Sequence, residues 1–203
     1  MDKTTTPAPG WQLAIVLCAF ALTAVIAKGF DSSPYFTTAT FGILSHLTLL
    51  LLVSSRVSLR PFPKGFGIMR DLLLGTGAAS FAWFASGYAL RFTTSKPYQP
   101  PNSPAEIALY VIVSVLIAPV SEELIFRGYM QEQIAMRTAS QTIAVTLQAI
   151  LFGAIHLRYG LPYMLIIAVT AGLPLGILAF ARKSLWPGII AHTVFNAATL
   201  VTK

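Results

Sequence analysis

Charge is scarce in this sequence. Only 10% of its 203 residues are Asp, Glu, Lys or Arg, where soluble domains carry about 25%. A larger core cannot account for the shortfall, because a chain this short has mostly surface. The missing polar surface therefore faces lipid, and one polytopic domain is the natural count. Cysteine is scarcer still. The single Cys18 excludes an internal disulfide framework and a CxxC metal site; inside an apolar run it reads as a small hydrophobe. Acid is short as well, with 7 Asp and Glu against 14 Lys and Arg, a formal charge of +7. In a soluble protein that excess would suggest nucleic acid. Here the basic residues stand singly or in short groups between apolar runs, the pattern of loop anchors at lipid headgroups. No basic face with interleaved aromatics is present, so the expected partner is the bilayer and not nucleic acid.

Apolar sequence is what the chain has in abundance, 55% of it. A membrane helix needs about 20 predominantly apolar residues. On that rule runs lie near 11–30, 36–53, 72–90, 105–120, 142–157, 163–181 and 184–201. They predict an all-α transmembrane bundle of about seven spans. Residues 1–10, MDKTTTPAPG, read as a short disordered tail, and 11–203 as a single transmembrane domain. Lys28 and Asp31 close the first run as a loop would, which favours an uncleaved helix over a signal peptide.

Seven spans place the tail and the loops 54–71, 121–141 and 182–183 on one side. That side holds Lys3, Arg56, Arg60, Lys64, Arg70, Arg127, Arg137, Arg182 and Lys183; the other holds Lys28, Arg91, Lys96, Arg158 and Lys203. The bias puts the N-terminus in the cytoplasm of a protein integral to the cell (inner) membrane. The loop 91–104 carries Pro97, Pro100 and Pro101 and reads as an extended outside connection. At its end Ser103 is placed to cap a helix, with Pro104 at the first helical position. Gly75, Gly77, Ala79, Gly172 and Gly176 are small residues that allow close helix contact. Pro119 and Pro174 are expected to kink their helices.

Against this background one segment stands apart. In APVSEELIFRGYMQEQI, 118–134, two adjacent carboxylates follow directly on an apolar helix. Ionised Glu near hydrocarbon is expensive and is retained when it is paired or does work. Glu123 and Arg127 are spaced i, i+4 with the acid first, the favourable order for an ion pair. Glu122 is rotated by about 100° from Glu123 and has no such partner. One carboxylate is thus held in place and the other remains for use as a general base. An interfacial cap with a surface salt bridge would leave the same trace.

Of the three histidines, His156 can reach this level. If the helix from 105 runs on to about 135 and turns near Ala139 and Ser140, Glu122 lies about 17 residues before the turn and His156 about 17 after it. Both then sit roughly 25 Å along antiparallel helices from one turn. His192 and Asn196, in HTVFN, share one face of the last helix. A polar pair there points inward, to a cavity or to interhelical hydrogen bonds. His46, in GILSHLTLLLL, has no acidic neighbour and no spaced partner, and is expected to be structural.

The three elements in this order form a pattern. Glu122-Glu123-Leu124-Ile125-Phe126-Arg127 fits EExxxR, Phe152-Gly153-Ala154-Ile155-His156 fits FxxxH, and His192-Thr193-Val194-Phe195-Asn196 fits HxxxN. With Gly128-Tyr129 following the first, the stretch from about 105 to 200 resembles the CPBP family, the type II CAAX prenyl endopeptidases and bacterial Abi-type membrane proteases. The first 100 residues carry no signature beyond hydropathy.

The resemblance implies peptide-bond hydrolysis inside the membrane, on a membrane-associated protein or peptide. Glu122 would activate water as general base and His156 would position or polarise that water. His192 and Asn196 would bind the carbonyl oxygen as its negative charge develops. Glu123 and Arg127 would be supporting structure, and no cofactor is required. The alternative is a zinc site of His156, His192 and Glu122, although no HExxH helix is present and Asn196 would be an unusual zinc ligand. Two other functions use the same polar cluster: a non-catalytic membrane immunity or assembly module, and a small proton-coupled transporter. The repeated halves of a transporter are missing from the sequence.

Overall fold

The apolar runs fold as helices. A computed structural model describes residues 7–29, 35–53, 56–57, 64–93 and 101–201. Among these lie seven continuous helices and no strand: α1 Gly10–Gly29, α2 Tyr35–Val53, α3 Phe66–Leu90, α4 Pro104–Thr138, α5 Gln141–Ala154, α6 Leu161–Arg182 and α7 Trp186–Val201. Of the tail expected to be disordered, 1–6 fall outside the described residues, as do 94–100 of the proline-containing loop. Residues 7–9 are described, and Ala8 is tied down. Its N–H donates to Gln133 Oε1 at 2.6 Å and its carbonyl accepts from Arg137.

Helix α4 carries the carboxylates, and its boundaries follow from its sequence. At its start Ser103 and Glu106 form a capping box, each side chain accepting the other's backbone N–H. At its end Ala139 turns left-handed at φ 52°, and Ser140 caps α5 by accepting from Ile143 N–H. The turn therefore lies where the spacing of Glu122 and His156 requires it. The helix runs well past the apolar stretch 105–120, because the polar residues beyond it are buried against α6. Gln131 Nε2 donates to the carbonyl of Gly176, and Gln148 Nε2, on α5, donates to that of Gly172. In hydrocarbon such amides need internal partners.

The disturbance expected at the two helical prolines takes the form of wide turns just upstream. Val111–Ile117 is π-helical before Pro119, and Ala168–Gly172 is π-helical before Pro174. Proline lacks an N–H and its ring crowds the carbonyl four residues back. Lengthening the preceding hydrogen bonds relieves that crowding and keeps the helix continuous.

Small residues set the helix spacing at most of the expected positions. A Cβ on Gly75 would stand 2.7 Å from Ile190 on α7, and one on Gly172 would stand 3.0 Å from the Ala149 backbone. Gly176 lies directly under the Gln148 amide. Gly77 is different: nothing lies within 4 Å of its Cβ position.

Three contacts gather one end of the bundle. Besides Ala8 with the end of α4, Gln12 Nε2 at the start of α1 donates to the Leu52 carbonyl at the end of α2. Arg182 at the end of α6 donates twice to buried Asp71 near the start of α3, at 3.0 and 3.2 Å. The outward faces are apolar, with Leu51, Phe84, Leu116, Val169 and Ile177 exposed. By length and composition α4 and α6 are sufficient to cross a membrane; Gly10–Ala19, Ile43–Val53 and α5 are shorter apolar helices.

Candidate active site

One α-helical turn of α4, Ala118–Glu123, lies between π-helical Val111–Ile117 and a second π-helical stretch, Leu124–Gln131. It buries both carboxylates. Glu123 Oε1 receives Arg127 Nη1 at 2.9 Å, and neither side chain exposes any surface. This excludes the interfacial cap with a surface salt bridge. Arg127 also donates to the Gly172 carbonyl at 3.3 Å and lies 4.3 Å from the centroid of the Phe152 ring. Charge and cation–π contact together compensate the guanidinium for lost water.

Glu122 is buried beside it but faces elsewhere. Its Oε1 is 3.0 Å from His46 Nε2, on α2. The carboxylate only accepts, so Nε2 carries the hydrogen. Here the structure corrects the expectation for His46. In space it has the acidic neighbour that the sequence around it lacks, Glu122. No spacing rule could have revealed a contact across 76 residues; the available signal was a histidine inside an apolar run, itself a functional marker in a membrane helix.

His192 comes from α7 and stands between the two acids. Its Nε2 is 3.8 Å from Glu122 Oε2 and its Nδ1 is 3.6 Å from Glu123 Oε1. Both are ion-pair distances, and neither is a hydrogen bond. Gly188, one turn earlier on α7, permits this approach: a Cβ there would lie 2.5 Å from Glu123 Oε2.

His156 lies just past the end of α5, within electrostatic reach of Glu122 and His192. Its Nδ1 is 3.2 Å from the Phe152 carbonyl. A carbonyl cannot donate, so Nδ1 carries the hydrogen and Nε2 of the neutral ring is an acceptor. Phe152 lies among the groups of the site. Its ring lies 5.5 Å from that of His156 and 5.7 Å from that of His192, and it supports Arg127 from below.

Asn196 stands one turn beyond His192. Its Nδ2 donates to the Ser114 carbonyl at 2.7 Å, in the π-helical part of α4. The Asn196 carbonyl accepts from Tyr110, whose hydroxyl also bonds Thr199. The fold thus gathers Glu122, Glu123, Arg127 and His192 tightly, with His156 at the edge of the group and Asn196 one turn away along α7. As they stand, the described His, Cys, Asp and Glu side chains form no group of three placed to hold a metal ion.

Comparison with known proteins gives one match. Residues 104–198 fit the family model described as type II CAAX prenyl endopeptidase Rce1-like. Neither the curated proteins nor the solved structures yield a match. The fitted segment holds all three motifs and every residue of the cluster except His46. By that segment, and by the buried convergence of its motif residues, the chain is similar over residues 104–198 to the CPBP family of CAAX-type proteases.

Proposed function

We propose that this chain is a multi-pass intramembrane endopeptidase that cleaves a peptide bond in a membrane-associated protein or peptide. The observation that carries the reading is His192 held between two buried carboxylates, only one of which is neutralised by a cation. Arg127 fixes Glu123, which leaves Glu122 to work as the base. Glu122 takes a proton from water, and the oxygen attacks the scissile carbonyl carbon. His156, with Nδ1 tied to Phe152, offers Nε2 to the same water. Charge developing on the carbonyl oxygen is met by His192 and by the second amide hydrogen of Asn196. Glu122 then returns the proton to the departing amine as the C–N bond breaks.

Seven spans with a cytoplasmic N-terminus suit the same reading. The contacts of Ala8 with Gln133, Gln12 with Leu52 and Asp71 with Arg182 join the helix ends that alternating crossings would bring to one side. Arg56, Arg70, Arg137 and Arg182 belong to that side, as the positive-inside rule requires.

The proposed hydrolysis needs no metal, and the rival is a zinc-dependent hydrolysis through His156, His192 and Glu122. Both are tested on the full chain reconstituted in liposomes. Quenched probes of three kinds would be supplied: a farnesylated CAAX peptide, an unmodified leader-type peptide and an apolar C-terminal tail. Cleavage that survives exhaustive chelation, in protein with no stoichiometric metal, supports the proposal. Cleavage that vanishes and returns with one equivalent of zinc overturns the metal-free chemistry. Equal cleavage by wild type and Glu122→Gln, or none by either, overturns the enzyme in favour of a binding module.

A further inference from the structure

We infer that His46 is a positioning residue for the candidate base: it holds Glu122 Oε1 and thereby assigns the chemistry to Oε2. The inference rests on the proposed function and adds to it a residue from outside the matched segment 104–198. A Glu carboxylate rotates broadly about its last torsion. An untied Glu122 would present either oxygen, in many orientations. Among the described residues, the contact from His46 Nε2 at 3.0 Å is the one hydrogen bond that Glu122 makes. It fixes Oε1 on the α2 side. Oε2 is then buried without a hydrogen-bond partner and faces His192 Nε2 at 3.8 Å.

The two adjacent acids are thus each anchored through one oxygen, by different chemistry. Glu123 is held by a guanidinium, which keeps its charge at every relevant pH and suits an acid that only supports. Glu122 is held by an imidazole N–H, which orients the oxygen without imposing a permanent charge. That is the better anchor for a group that must accept a proton and give it up. The His46 side chain keeps 21% of its exposure against 9% for Glu122, so the anchor approaches from the rim of the site and leaves its inner side to His192. Angular placement of this kind carries large rate factors, because a misplacement of about 1 Å can cost about 10²-fold.

Two substitutions separate positioning from packing. His46→Phe keeps a ring of similar volume and removes the donor. His46→Gln removes the ring and keeps an N–H at the same distance along the side chain. Both would be compared with wild type and Glu122→Gln on the farnesylated CAAX probe, with kcat and KM resolved and melting recorded. The inference expects His46→Phe to lose about 10- to 100-fold in kcat at unchanged KM, and His46→Gln to recover most of that loss. The reverse order, Phe active and Gln impaired, is the signature of a packing residue and overturns it. So does wild-type kcat in His46→Phe when Glu122→Gln is dead, an outcome that leaves the proposed function intact. Cleavage by Glu122→Gln at the wild-type rate, or no cleavage by wild type, would instead remove the proposed function and this inference with it.

Discussion

Glu123 and Arg127 form an ion pair from which solvent is fully excluded: Oε1 and Nη1 are 2.9 Å apart and neither side chain has any exposed surface. The pair lies one residue from Glu122 and directly over Phe152, so it links the backbone of the candidate site to the ring that supports both histidines.

Removing one partner of such a pair leaves an uncompensated charge in the interior, at a cost of about 3–5 kcal/mol. Glu123→Gln is therefore expected to lower the melting temperature and the membrane abundance strongly. Glu122→Gln, whose amide oxygen can still accept from His46 Nε2, is expected to melt near wild type and to abolish turnover. Thermal melts of both purified variants decide the assignment; a Glu122→Gln protein far less stable than Glu123→Gln would reverse the two roles.

Asn196 has one amide hydrogen on Ser114 and a second to offer. As an oxyanion donor it should be worth about 10²–10³ in kcat, with KM little changed. Steady-state kinetics of Asn196→Ala on the cleaved probe give the answer. A purely structural Asn196 would show its loss in melting and spare kcat.

Gly153, inside the FxxxH motif, is where α5 meets α6. An added Cβ would stand 2.6 Å from the Met164 carbonyl and 2.8 Å from the Ala168 side chain. Backbone cannot yield as a flexible side chain can. Gly153→Ala should destabilise by about 1–3 kcal/mol and displace His156, three residues on. Gly77→Ala, with nothing within 4 Å, is the control and should melt like wild type.

Topology is tested by cysteine labelling in a Cys18→Ser background. Lys3→Cys should react with an impermeant maleimide from the cytoplasmic side only, and Ser95→Cys from the opposite side only. Labelling of both from one side would contradict an odd number of crossings before the loop 91–104.

Much of this arrangement was legible in sequence. Hydropathy located the seven helices of the described residues, because each contains a separate apolar run, although α4 extends well past its own. Spacing placed Arg127 against Glu123, since i, i+4 contact is a property of a single helix. The capping residue Ser103 and the turn at Ala139 and Ser140 were equally local. The same turn fixed the common level of Glu122 and His156.

Contacts between helices distant in sequence were another matter. Which face of α2 meets α4 depends on rotation and tilt, which hydropathy does not encode when both faces are apolar. That is why His46 looked like packing and proved to touch Glu122. The burial of Gln131 and Gln148 on the carbonyls of Gly176 and Gly172 follows from the close approach of α4 and α5 to α6, as does the departure of Gly77 from the small-residue contacts around it. The sequence by itself determined the helices, their order and the pairings that one helical period or one tight turn can fix. Only the tertiary structure decided which oxygen of Glu122 is held and which is presented, because that depends on side chains from α2, α4 and α7 meeting at one point.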